Sequence, residues 1–167
     1  DELSAGFTDK EKRMRLFGEF VDMQGAEYLD AEDKKYVERT IEAPVKRMSW
    51  VCKEHPEVGY FVPSVDGELL IFRDFKSLHG RVFILSCDPA TGSGQDYTVV
   101  DIWENTVKLE HVAQFRSNTT RLSEISEIVI DLARKYNNAT VNIDRTGGTG
   151  EGILQSIVDS GYYNISG

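Results

Sequence analysis

Two aspartates stand at the ends of apolar runs, and these are the residues with most scope for chemistry. Asp88 closes Val82-Phe83-Ile84-Leu85-Ser86-Cys87, and Asp144 closes Ala139-Thr140-Val141-Asn142-Ile143. Both runs are short and rich in β-branched residues, as strands are. A carboxylate at a strand end is commonly a turn former, and either residue alone could do no more than that. Brought together they would do something else, because paired carboxylate oxygens suit Mg²⁺ or Mn²⁺, hard cations that favour oxygen ligands and retain water. The two lie too far apart in the chain for local spacing to pair them, so the fold must. Between Asp88 and the next strand runs Ala90-Thr91-Gly92-Ser93-Gly94, with Asp96 just beyond it. This glycine-rich stretch lacks the Gly-Lys-Ser/Thr of a phosphate-binding loop and leads into a strand rather than a helix, so it reads as a connection.

The elements that would position these acids follow from periodicity. The run from Val82 reads as a central strand buried on both faces. Tyr97 to Trp103 and Val107 to Phe115 read as two further strands with a turn at Glu104-Asn105, which makes an antiparallel three-strand meander. Leu122, Ile125, Ile128, Val129, Leu132, Ala133 and Tyr136 form one apolar helical stripe that stops at Asn137-Asn138. After the strand Ala139–Ile143, the stretch Gly147-Gly148-Thr149-Gly150 reads as a flexible loop. Ile153, Leu154, Ile157 and Val158 mark a helix closed by Gly161, and Tyr162 to Ile165 begins another strand. Upstream, the pattern turns to β from Met48, and Asp66-Gly67 between Tyr60–Val62 and Glu68–Phe72 predicts a tight hairpin with positive φ angles. The first third is helical in flavour. Thr8 and Glu11 suit a capping box, Met14, Phe17, Phe20 and Val21 share a face, and a second helix is predicted over Asp30 to Ile41, ahead of Pro44.

From Val82 the order is β-β-β-α-β-α-β, with Asp at the ends of the first and fourth strands. That is the layout of an RNase H-like α/β domain: a mixed sheet, an antiparallel three-strand meander plus parallel strands, flanked by helices. Here it carries a helical N-terminal extension. In this layout the first and fourth strands are neighbours, so Asp88 and Asp144 would emerge together.

With 167 residues the chain can bury one core and carry a small appendage. Its formal net charge of −9 argues against a protein that coats nucleic acid, since phosphate binding draws on clustered Lys and Arg. The balance is natural if carboxylates are gathered for cations, or if another part of a larger protein grips the nucleic acid. No apolar run approaches the roughly 20 residues that span a bilayer, and the amino terminus is unlike a secretion signal. The two cysteines, Cys52 and Cys87, show no metal-site spacing and read as buried free thiols in a reducing compartment. The chain begins at Asp1 and so reads as a fragment or trimmed piece.

Several segments in order carry a resemblance. Asp88-Pro89-Ala90 and its glycine-rich turn, Asp96-Tyr97-Thr98-Val99-Val100, Val112 to Asn118, Ala133 to Ala139, Asn142-Ile143-Asp144 and Gly147 to Gly150 together resemble the nuclease domain of phage terminase large subunits. Gly18-Glu19-Phe20-Val21-Asp22 and Gly67 to Phe72 resemble the join between that family's ATPase and nuclease domains. The resemblance implies a helical linker or end of the ATPase region at 1–45. It makes 46–167 an RNase H-like nuclease domain truncated at its carboxyl end. It implies a metal-dependent endonuclease that cuts concatemeric double-stranded DNA during genome packaging, with two Mg²⁺ or Mn²⁺ ions in the complete site. Asp88 matches the first-strand metal carboxylate and Asp96 a nearby supporting acid. Asp144 falls where the family usually has Glu, one methylene longer. The family's third metal-binding acid would lie beyond Gly167, so weak or no cutting is expected of this piece alone.

Lys108, Arg116, Arg121 and Arg145, with Gly147 and Gly148, are candidates to face DNA; each cation also suits an ordinary solvated surface. The implied partners are double-stranded DNA, the ATPase domain of the same protein, the portal and the small terminase subunit. The implied place is the host cytoplasm at the procapsid portal, away from any membrane. Two other readings stay open: another RNase H-like nuclease such as a resolvase or exonuclease, or a non-catalytic docking domain of the motor. Clustering of Asp88, Asp96 and Asp144 would favour the enzyme, and an Arg or Lys filling the cleft would favour the docking domain.

Overall fold

Every second residue of the strand Phe83–Asp88 is buried. Phe83, Leu85 and Cys87 face the core, Ile84 and Ser86 are half-exposed, and Asp88 is exposed. The expectation of a strand buried on both faces is therefore corrected to a strand with one covered face. The computed structural model describes residues 35, 39, 41–51, 59–91, 94, 96–146 and 148–166, and the chain divides into two compact units, 1–41 and 42–167. In the first unit, Lys35 and Arg39 are exposed on helical backbone. The predicted capping box at Thr8, the apolar face from Met14 to Val21, the segment Gly18 to Asp22 and Cys52 lie outside the described residues.

The second unit runs β1 (Lys46–Val51), β2 (Tyr60–Pro63), β3 (Leu69–Ile71), β4 (Phe83–Asp88), β5 (Thr98–Glu104), β6 (Glu110–Ser117), α1 (Leu122–Lys135), β7 (Thr140–Ile143) and α2 (Thr149–Asp159). The strands form one sheet in the order β2-β1-β3-β6-β5-β4-β7. β4, β5 and β6 are the expected antiparallel meander, and β7 runs parallel to β4 on its other side. This is the mixed RNase H-like sheet. The further strand expected at Tyr162–Ile165 is one parallel bridge, Val141 to Ile165.

Two local predictions are corrected. β2 and β3 each pair with β1 and not with one another, so Asp66-Gly67 is no two-strand hairpin. Gly67 has no positive φ; a Cβ there would fall 2.3 Å from the Met48 carbonyl carbon. The glycine is needed because the β1 backbone passes against it. β6 begins at Glu110 rather than Val107, and Val107 and Leu109 are exposed in the connection.

The core lies between one sheet face and both helices. Ile125, Ile128, Val129 and Leu132 of α1, with Ile153 and Ile157 of α2, pack with Leu85, Val100, Ile102, Phe115 and Val141. Each large apolar side chain so buried contributes roughly 1.5–3 kcal/mol. α1 starts where the Glu124 carboxylate accepts the Arg121 backbone N–H at 3.1 Å, and it ends with Arg134 and Lys135, favourable at the negative end of the helix dipole. Asn137 and Asn138 then adopt φ of 55° and 54°, the left-handed region that Asn tolerates. The chain so reversed enters β7 beside β4.

Candidate active site

The β4–β7 ladder matches Ser86 with Asn142 and Cys87 with Ile143. One step further, the Asp144 N–H donates to the Cys87 carbonyl at 2.9 Å. Asp88 and Asp144 thus emerge side by side at the carboxyl ends of parallel neighbours, as expected. Both are exposed. They line one cleft of about 390 Å³ with Ser86, Val99, Asp101, Asn142 and Arg145. The cleft opens on the sheet face that carries the half-exposed residues of β4.

Each acid is held by its flanks. Asp144 Oδ1 accepts the Thr146 N–H at 2.8 Å, and hydrogen bonding from the Thr146 side chain and backbone keeps its carboxyl below the usual range. Gly148, at φ 85°, precedes α2, and Thr149 and Gly150 form its first turn. The predicted flexible loop from Gly147 to Gly150 is therefore corrected to a helix start, with Gly147 outside the described residues. A Cβ on Gly150 would fall 1.9 Å from the Asp144 carbonyl oxygen, so the helix presses on the backbone of the acid. Beyond Asp88, the Ala90 N–H donates to buried Thr98 Oγ1 at 2.9 Å. Gly94 and Asn118 exchange two hydrogen bonds, Gly94 N–H to the Asn118 carbonyl and Asn118 Nδ2 to the Gly94 carbonyl. The connection after Asp88 is thus held at Ala90 and at Gly94.

The expected third member is not there. Asp96 is exposed in the connection before β5 and does not line the cleft. The acid that does is Asp101, which sequence reasoning misses. It lies opposite Ser86 and Gln114 in the ladders, and its Oδ1 accepts from His111 Nε2 and Gln114 Nε2, both at 2.9 Å. Burial works to raise its pKa, but the hydrogen bonds from His111 and Gln114 prevail and hold it below the ordinary value. A signal was available: a lone carboxylate inside Thr98-Val99-Val100-Asp101-Ile102-Trp103, in phase with the residue that opposes Asp88. Among the described residues no three His, Cys, Asp or Glu side chains form a group able to hold a metal ion. The three acids share a cleft without converging on one point.

The basic candidates separate. Arg145 lines the cleft, and among the described residues it forms no ion pair, so it borders the acids without neutralising them. Arg116 lies in the row Asp88–Val99–Arg116 across three strands, its guanidinium 3.8 Å over the Tyr97 ring. Arg121 is exposed just before α1, beyond the end of β6 that neighbours Thr98. Lys108 follows Glu104, which pairs with Phe83 at the start of β4; it sits at the opposite end of the sheet from Asp88.

Residues 85–165 match the family model described as the terminase RNaseH-like domain. This stretch is a terminase RNase H-like domain. The terminase domain so defined runs from Leu85 in β4 to the bridge at Ile165 and contains all three acids of the cleft. No curated protein matches the sequence. Among solved structures, the large terminase nuclease from thermophilic phage G20c with bound magnesium is similar at 19% identity and a TM-score of 0.49, over 72% of this chain and 53% of that one. The same nuclease with bound zinc gives 18%, 0.48, 72% and 58%. The large terminase nuclease domain of Thermus phage P74-26 gives 20%, 0.47, 62% and 49%. The chain thus spans about half the length of these proteins. No helix of the described residues is long and apolar enough to cross a membrane.

Proposed function

We propose that this chain is nuclease machinery of a phage terminase large subunit, a metal-dependent endonuclease that hydrolyses phosphodiester bonds of concatemeric double-stranded DNA during genome packaging. The observation that carries the reading is the juxtaposition of Asp88 and Asp144 in one open cleft at the ends of β4 and β7. Two exposed carboxylates without a third direct partner fit a hydrated Mg²⁺ or Mn²⁺, which is held by one or two carboxylates and keeps several waters. Asp88 and Asp144 would hold the cation. When bound, one or two such ions supply an activated water and neutralise charge on the departing oxygen.

The chain's own residues prepare that chemistry. The Thr146 N–H bonds one Asp144 oxygen and favours the ionised carboxyl. Arg145 and Arg116 offer guanidinium forks to phosphate on the same face as the acids. The chain's net charge of −9 suits a domain that makes weak, non-specific DNA contacts while the rest of the motor holds the duplex. In this reading residues 1–45 belong to the link with an ATPase region and 46–167 to the nuclease. Portal and small terminase subunit are the partners, at the procapsid in the host cytoplasm. A further acid from elsewhere in the protein belongs to the same proposal.

The test is plasmid cleavage with Mn²⁺, run beside Mn²⁺ binding, for the protein and its Asp88→Asn and Asp144→Asn variants. The protein should bind Mn²⁺ and at most nick supercoiled plasmid slowly, and each variant should lose Mn²⁺ binding together with any nicking, as removal of a metal worth several kcal/mol requires. Equal cleavage by the Asp88 variant sinks the assignment. So does a protein that neither cuts nor binds Mn²⁺.

A further inference from the structure

We propose that Asp101 is a positioning residue of the cleft: gripped through one oxygen by His111 and Gln114, it turns its other oxygen to a water of the cation held by Asp88 and Asp144. This inference rests on the metal reading above and assigns within it a residue which neither the family match nor the sequence singled out.

Three observations carry it. First, Asp101 lines the same cleft as the other two acids. Val99 opposes Asp88 in the β4–β5 ladder and Asp101 opposes Ser86, so Asp101 and Asp88 are diagonal neighbours on one face. Such positions lie about 7–8 Å apart at the backbone, within reach of a contact through one water. That agrees with the lack of any three-acid group able to hold a metal among the described residues.

Second, both donors use the same oxygen. His111 Nε2 and Gln114 Nε2 each lie 2.9 Å from Oδ1, and among the described residues Oδ2 has no hydrogen-bond partner. Among the described residues no buried side-chain oxygen or nitrogen is left unsatisfied, so Oδ2 reaches solvent, and the open space that Asp101 lines is the cleft. Third, the grip is itself fixed. The His111 ring lies 4.5 Å from the Trp103 ring and 5.1 Å from the Phe72 ring, centroid to centroid, and Gln114 is the direct cross-strand partner of Asp101. A carboxylate held in this way orients water around a cation as hydrogen-bonded partners orient a ligand shell.

The rival account is that Asp101 only ties β5 to β6. Asp101→Asn separates the two, because the amide keeps an oxygen for His111 and Gln114 but presents an N–H donor and no charge to the cleft. Mn²⁺ binding to the chain, followed by loss of the free-ion electron paramagnetic resonance signal, needs no turnover. Melting in EDTA reports the fold. Asp101→Asn should weaken Mn²⁺ binding by about 10-fold, the lower end of what such partners contribute, with melting in EDTA unchanged. Asp88→Asn should remove binding. Wild-type affinity in Asp101→Asn alongside lost binding in Asp88→Asn overturns the role of Asp101 and leaves the metal reading standing. Wild-type affinity in both overturns the metal reading itself. Should Asp101→Asn melt early, Asp101→Glu gives the second comparison: it keeps the charge in the cleft, so affinity within about threefold of wild type supports the role. Affinity as weak as that of the Asn variant overturns it.

Discussion

Asp144 donates its backbone N–H to the carbonyl of Cys87 at 2.9 Å, the rung of the β4–β7 pairing that lies level with Asp88. Through it two acids from separate parts of the chain acquire a fixed separation before any ligand arrives. Backbone pairing does this with little freedom, since a one-residue slip would send either side chain to the helix-covered face. The acids are therefore as rigid as the sheet, while their side chains stay open to solvent.

The first turn of α2 tests how closely that rung is supported. Both Gly150 and Gly152 lie in the helix with no positive φ, where alanine is intrinsically better by about 1 kcal/mol. Space decides between them. A Cβ at 150 meets the Asp144 carbonyl oxygen at 1.9 Å, and one at 152 meets nothing within 4 Å. Gly150→Ala should destabilise by about 1–3 kcal/mol, and Gly152→Ala should be neutral or stabilising by up to about 1 kcal/mol. Urea unfolding of the two variants reads this out, and the same response in both would contradict the packing described.

Position on the sheet predicts which cations matter for DNA. Arg116 shares the row of Asp88, and Lys108 lies at the far end. Under the proposed function, Arg116→Ala should weaken binding to a short duplex and reduce the slope of log affinity against log salt by about 1. Lys108→Ala should change neither. Fluorescence anisotropy across a salt series measures both quantities, and a larger effect from Lys108 would place the DNA elsewhere.

Cys87 links the core to the site. Burial, with Asp88 adding its charge, pushes the thiol up to about 12 from an ordinary 9.0. Below pH 9 folded and unfolded chains both hold the proton. Between 9 and 12 only the unfolded chain loses it, so the contribution is intact below the unfolded value and is lost as pH rises through the folded one. Cys87→Ala should begin less stable and then lose less stability between pH 8 and pH 10.5. Parallel pH profiles from urea midpoints would refute this.

Much of the fold could be read from the chain, because local signals agree with the tertiary result. The apolar stripe from Leu122 to Tyr136 makes a helix anywhere, the Asn137-Asn138 stop ends it, and the meander from Val82 to Ser117 needs only short turns. Asp88 and Asp144 were visible because each follows an apolar run at the end of its strand. What misled were signals whose meaning depends on neighbours. Asp66-Gly67 looks like a hairpin turn, yet β1 takes the place between β2 and β3. Gly147 to Gly150 looks like a loop, yet its second half starts a helix pressed on Asp144.

The membership of the cleft shows the same division. Asp96 is nearer to Asp88 in sequence, but Asp101 shares its cleft, because side chains on a strand alternate and pairing register decides which of them meet. The sequence by itself determined the strands, the helix stripe, and the two acids at strand ends. Only the tertiary structure decided that those acids are neighbours, that Asp101 joins them with His111 and Gln114 behind it, and that Lys108 is far away. The physical reason is that local propensity is written in adjacent residues, whereas register and strand order arise from pairing between segments distant in the chain.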